Sequence, residues 1–149
     1  MKKTTVSLLI CMAIAAPVEG LRAESVWFNV EGDATNPAVN TIEVDPSPVT
    51  VAGAMRTMRI RVSRSAPRVS WDGVPYRSFV ADVIINCLEN SARYGTLTYY
   101  QQPAWAGEVT KTAIYGETDL RVMAFRDVVP NPTLRIIRAA CQSAAVQSN

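Results

Sequence analysis

The chain contains no histidine. That absence removes the usual general base near neutral pH, the commonest metal-ligating side chain and any histidine-based haem ligation. Ser-His and Cys-His nucleophile systems are excluded with it. No Gly-x-Ser-x-Gly, phosphate-cradling glycine loop or Cys-x-x-Cys occurs either. Carboxylates remain: Asp45, Asp72, Asp82, Glu117 and Asp119 could meet in space, and Glu117-x-Asp119 could offer two oxygens to a hard cation such as calcium. Spacing alone does not bring them together, so they read first as solvated strand and loop charges. No catalytic residue, cofactor or metal is expected.

The other chemistry-bearing groups are suited to binding. Arginines at 56, 59, 61, 64 and 68 form the only charge run, with no acid from Met55 to Pro67. Arg59 and Arg61 fall on one face of a strand, where planar guanidinium forks could meet an anionic glycan, a lipid headgroup or an acidic protein surface. The plainer reading is that they blunt an exposed strand against aggregation and cover apolar neighbours with their stems. They are then expected to matter for solubility or ligand capture and hardly at all for the fold. Tyr99, Tyr100, Trp105 and Tyr115 make the later half aromatic-rich. Trp105 sits in a Pro- and Gly-flanked loop, as a partner anchor or as a satellite core beneath that loop. Arg59, Arg61 and Trp105 are the candidate ligand-binding residues.

These groups need a sheet to hold them. The best strand runs from Tyr76 to Cys87, with Phe79, Ala81, Val83, Ile85 and Cys87 alternating with Val80, Asp82, Ile84 and Asn86. Further strands are expected at Ser25 to Val30, at Thr41 to Asp45 with a stop at Pro46-Ser47-Pro48, and at Met55 to Arg64 with Met58, Ile60 and Val62 facing inward. A loop from Ser65 to Pro75 follows. Ala92 to Tyr100 pairs with the organising strand through a hairpin, with Leu97 and Tyr99 on the face opposite Tyr94, and Glu108 to Tyr115 alternates once more. After Pro130 and Pro132, Thr133 is the expected N-cap of a helix that places Leu134, Ile137 and Cys141 on one face. Hairpin-spaced strands followed by one terminal helix give an α+β fold, an antiparallel sheet with the helix packed on one face.

With 48% hydrophobic and 19% charged residues, the composition is that of an ordinary globular domain. Met1-Lys2-Lys3, the apolar run Val6 to Ala16 and the small-residue site at Leu21-Arg22-Ala23 have the three parts of a secretory signal peptide. The expected organisation is a leader over 1–23, one domain over 24–142 and a flexible tail over 143–149. Losing Lys2, Lys3, Arg22 and Glu19 leaves twelve basic and twelve acidic residues. A neutral mature chain has no global charge to drive phosphate binding, so nucleic acid is not an expected partner. No transmembrane anchor is expected in the mature chain. Cys11 leaves with the leader, and Ile10 occupies the place where a lipoprotein signal carries a small residue. Cys87 and Cys141 remain, and in an exported, oxidising setting such a pair reads as a disulfide.

The order of landmarks adds to this reading. Trp27 lies near the mature start, followed by Ile42-Glu43-Val44-Asp45-Pro46, then Arg59-Ile60-Arg61-Val62. Pro75-Tyr76-Arg77-Ser78 leads to Cys87, Leu97-Thr98-Tyr99-Tyr100 follows, and a late proline precedes a helix ending in Ala-Ala-Cys at Cys141. In this order they resemble the surface-adhesin protein E family of bacterial envelope proteins. The resemblance implies a twisted antiparallel sheet with a C-terminal helix tied to its face by a disulfide, an adhesive role at the cell surface, and no catalytic residues. The missing lipidation site departs from outer-membrane members and points to a periplasmic or secreted protein.

The function expected is that of a small exported, non-catalytic envelope protein, an adhesion or protein-binding module acting through its surface. Its alternative is a periplasmic accessory or structural protein that binds another envelope component. Expected partners are a protein or an anionic glycan at the cell envelope, and an oligomer is compatible with the sequence.

Overall fold

A computed structural model of the protein describes residues 26–119 and 121–143. The expected leader lies outside the described residues, as does the tail from 144 onward. Six strands are followed by one helix: β1 (Phe28–Glu31), β2 (Thr41–Ala52), β3 (Met55–Val69), β4 (Pro75–Asn86), β5 (Ser91–Tyr100), β6 (Val109–Ile114) and α1 (Thr133–Ser143). The strands form one sheet in the order β1-β2-β3-β4-β5-β6, every pair antiparallel. The fold is α+β, as expected from hairpin spacing.

Alternation sets the two faces. Ile42, Ile60, Val62, Phe79, Ala81, Val83, Ile85, Leu97 and Tyr99 are buried on one side, which α1 and the chain from Met123 to Val128 cover. The intervening residues of the same strands, among them Arg59, Arg61, Val80, Asp82, Thr96 and Thr98, line the other side, which carries no α-helix among the described residues.

The strands run longer than their sequence signals. Pro46 and Pro48 do not end β2. The ladder to β3 shifts register between Asp45 and Thr50 and then resumes, so the prolines sit at an irregularity where the missing donors are tolerated. The expected loop from Ser65 to Pro75 contracts, because β3 reaches Val69 and pairs it with Pro75. The turn between them closes on Ser70, whose hydroxyl accepts the N–H groups of Asp72 and Val74, with Gly73 at φ +73°.

A bulge in β5 overturns one expected face. Asp82 pairs with Thr96 and Val83 with Tyr94, which leaves Gly95 unopposed. The extra residue inverts the alternation, so Tyr94 is buried on the same side as Leu97 and Tyr99 instead of opposite them. Gly95 also divides the strand between two partners. Beyond it β5 pairs with β6; before it, Tyr94 N–H reaches Arg121 O at 2.8 Å and Met123 N–H reaches Ala92 O at 2.9 Å.

Cys87 and Cys141 are bonded, with their Cα atoms 5.7 Å apart, and both pack against the core. The helix they hold is turned differently from the expected face. Ile136, Ile137 and Ala140 are buried, whereas Leu134 is 55% exposed, because it stands about 160° round the helix from Ile136. Thr133 is not the cap either: its hydroxyl accepts Phe125 N–H at 3.2 Å, and the Asn131 side chain accepts Thr133 N–H at 3.0 Å. Thr133 thus ties the covering segment to the helix start. Ile137→Ala should therefore cost about 2–5 kcal/mol, whereas Leu134→Ala should stay within about 0.5 kcal/mol. Urea unfolding midpoints of the two variants check this.

Candidate functional site

On the helix-free face the chain builds one stack of side chains from three distant segments. Arg61, in the middle of β3, lies between two indole rings, its guanidinium carbon 4.3 Å from the centre of Trp27 and 4.0 Å from that of Trp105. Its Nε donates to Glu43 Oε2 at 2.6 Å, from the position directly opposite on β2. Glu43 is only 5% exposed, so the guanidinium stands in for the water its carboxylate gives up. A guanidinium sandwiched by indoles and held edge-on by a carboxylate has its plane fixed, which a lysine ammonium would not.

Trp105 reaches this position through a strained turn. Pro103–Trp105 form a short 3-10 segment in which Ala104 and Trp105 have φ of +54° and +58°. Non-glycine residues held there cost on the order of 1–3 kcal/mol each and persist only where their surroundings fix them. The surroundings here are two buried serines of the sheet. Ser63 Oγ accepts Ala104 N–H at 3.0 Å, and Ser78 Oγ accepts Trp105 N–H at 3.0 Å while donating to Gln102 O at 2.6 Å. The indole N–H of Trp105 donates to Phe79 O at 3.1 Å. Both ends of Trp105 are anchored, with one ring face laid against Arg61.

Of the candidate residues, Arg61 and Trp105 are brought together and Arg59 lies on the same face one pleat away. Arg59 is 3.6 Å from Asp82, and its side chain is 41% exposed, so it is the more available of the two arginines. The expectation that Arg61, like Arg59, matters little for the fold is corrected by its sandwich and its ion pair. Trp27, Glu43, Ser63 and Ser78 were not singled out by site reasoning. Trp27 carried no strand-spacing signal of a role, and the pairing of Glu43 with Arg61 becomes visible only with the β2–β3 register.

The five carboxylates do not converge. Asp82 meets Arg59; Asp119 and Asp72 both meet Arg121, at 3.2 Å and 3.6 Å. Asp72 also accepts the Tyr115 hydroxyl. No group of three or more His, Cys, Asp or Glu side chains among the described residues could hold a metal ion. Burial raises the pKa of Tyr94, and burial followed by the bond to Asp72 raises that of Tyr115, above their ordinary 10.0. Their contribution to stability is complete below that value and is lost as pH rises through it towards the folded-state values. Thermal midpoints should therefore hold steady up to about pH 9 and fall above it, and removing both hydroxyls with Tyr94→Phe and Tyr115→Phe should flatten that fall.

No described helix is long and apolar enough to cross a membrane. The sequence model of one family, described as surface-adhesin protein E, matches residues 27–142, a span that includes both tryptophans of the stack and both cysteines of the disulfide. Neither a curated protein nor a solved structure matches the chain.

Proposed function

The chain belongs to the surface-adhesin protein E family, and from that premise we propose that it is a small exported, non-catalytic module that works by adhesion or protein binding through its surface. The observation that carries this reading is the Trp27–Arg61–Trp105 stack on the sheet face without a helix. Rigid aromatic rings cost little entropy when they are covered by a partner, and Trp and Arg are the residue types that dominate binding energy at interfaces. Arg59 stands beside the stack with its side chain partly in solvent, which suits a partner carrying carboxylate or sulfate, an acidic protein surface or an anionic glycan.

The test has two parts. Protease treatment of intact cells against lysed cells should show the protein accessible from outside. A pool protected until the outer membrane is opened would instead favour an accessory role with another periplasmic component. The exported protein should also bind immobilised heparin or an array of matrix and envelope proteins. Arg59→Gln should weaken that binding several-fold, through the loss of one charge-assisted contact, while leaving the thermal midpoint nearly unchanged. Binding that is indifferent to Arg59→Gln would remove this face from the interaction.

A further inference from the structure

The opposite side of the sheet holds a second feature that adhesion through the helix-free face does not use. Between β3–β5, the β3–β4 turn and the chain from Arg121 to Asp127 lies a cavity of about 420 Å³. That is within the range of small-molecule sites, roughly 300–1,000 Å³. Its walls are aromatic. Trp71 meets Tyr94 edge-on at 5.7 Å between ring centres, Tyr94 meets Phe79 at 5.9 Å, and Tyr76 meets Tyr99 at 5.2 Å.

Its charged groups are unequal. Arg64 is only 7% exposed; its Nη1 donates to Asp127 at 2.9 Å, while its Nε is buried without a hydrogen-bond partner. Asp127 is shared, because Arg68 Nη2 reaches the same oxygen at 3.0 Å. Arg126 lines the cavity too and has no ion-pair partner among the described residues. Arg121 is paired with Asp72 and Asp119, its buried Nε at ion-pair distance from Asp119 without a hydrogen bond. Arg64 and Arg68 thus share one carboxylate, Arg126 adds a further guanidinium to the cavity wall, and the remainder of the wall offers rings. A buried guanidinium with an unused donor favours an acceptor placed beside it.

We propose that this cavity is a binding site for a small organic carboxylate, with the carboxylate at Arg64 and Arg126 and an apolar body against Trp71, Tyr94 and Tyr99. The guanidinium fork suits the planar carboxylate, and the ring-lined remainder disfavours a ligand hydrated on all sides. The site lies on the covered side of the sheet, so ligand capture here is independent of contact through the Arg59 face.

The probe pair is phenylbutyrate and phenylbutanol, which share an apolar body and differ in charge. Amide spectra of the isotopically labelled exported protein, titrated with each, read both affinity and location. Phenylbutyrate should give saturable shifts at Tyr94, Val122, Ala124 and Arg126 and in the Trp71 indole N–H, and phenylbutanol should bind about tenfold more weakly. Arg64→Gln removes a buried ion pair and risks the fold, so the decisive variant is Arg126→Gln, whose side chain is exposed. It should weaken phenylbutyrate several-fold and leave phenylbutanol unchanged. Equal affinity for the two probes, shifts confined to Thr98 and Thr112 on the other face, or no saturable shift at all would each overturn the proposal.

Discussion

Arg61→Ala is expected to lower the unfolding free energy by about 3 kcal/mol, whereas Arg59→Ala, two residues away on the same face, should change it by no more than about 0.5 kcal/mol. Both arginines have a carboxylate partner, so the number of ion pairs does not distinguish them. Burial does. Glu43 is 5% exposed, and alanine at 61 leaves its charge in a place where water replaces the guanidinium poorly. The same substitution opens a gap between two indole rings that had touched both faces of the lost group. Arg59 and Asp82 sit 3.6 Å apart with side chains 41% and 48% exposed, where solvent screens the pair and each partner can be hydrated alone. Glu43→Gln keeps the shape and removes the charge, and should recover part of the loss when combined with Arg61→Ala. A double-mutant cycle on Arg61 and Glu43 should give a coupling above about 1 kcal/mol. A silent Arg61→Ala would mean that the stack does not form in solution.

The second large effect concerns the cross-link. Cys87 and Cys141 close 54 positions of chain, and losing that constraint is expected to cost about 4 kcal/mol on the chain-entropy account. This is a large part of the roughly 5–15 kcal/mol that holds a domain together. The loss should not be spread evenly. An eleven-residue helix is near the lower limit of persistence in water, which lies at about 12–15 residues, so α1 depends on Ile136, Ile137, Ala140 and the bond at Cys141. The sheet has its own ladder from β1 to β6. Hydrogen exchange in oxidised and reduced protein should therefore show protection falling first over residues 134–141 while the amides of Val83 and Ile85 remain slow. Simultaneous loss in helix and sheet would show that the helix is part of one cooperative unit with the strands, and unchanged protection at 134–141 would show that packing alone holds it.

Some of this architecture was legible in the residues and some was not. Alternation marked Met58, Ile60 and Val62, and again Phe79 to Ile85, because a central strand with one dry face has only one way to place its apolar set. Cysteine chemistry marked the staple. Alternation failed at Tyr94, where one inserted glycine reverses the face and only the partner strand shows the insertion. It failed also at Leu134, since three apolar residues at plausible helical spacing do not say which pair of faces meets the core. The arginine run was visible as charge, but a run has no partners until strands are paired. Glu43, eighteen positions earlier, is what separates Arg61 from Arg59. The strained turn that aims Trp105 was invisible because Ala104 has no sequence signature of a left-handed backbone.

The strand order has a kinetic meaning. Every strand pairs with the strand before it in the chain, so the sheet is a meander in which each new hairpin extends a template already formed, while the first half of β5 is completed by the later segment Arg121 to Met123. Loop closure is short at each step, which keeps the entropic barrier to each addition low. A much longer reach joins the two ends: Arg135 on α1 donates to Val30 O at 2.7 Å across 105 positions. A chain emerging from its N-terminus can therefore assemble β1 to β5 while Cys141 is still absent. Oxidation then records a structure that the hairpins have already chosen, so the single disulfide acts as a lock on a finished sheet and not as a guide to making it.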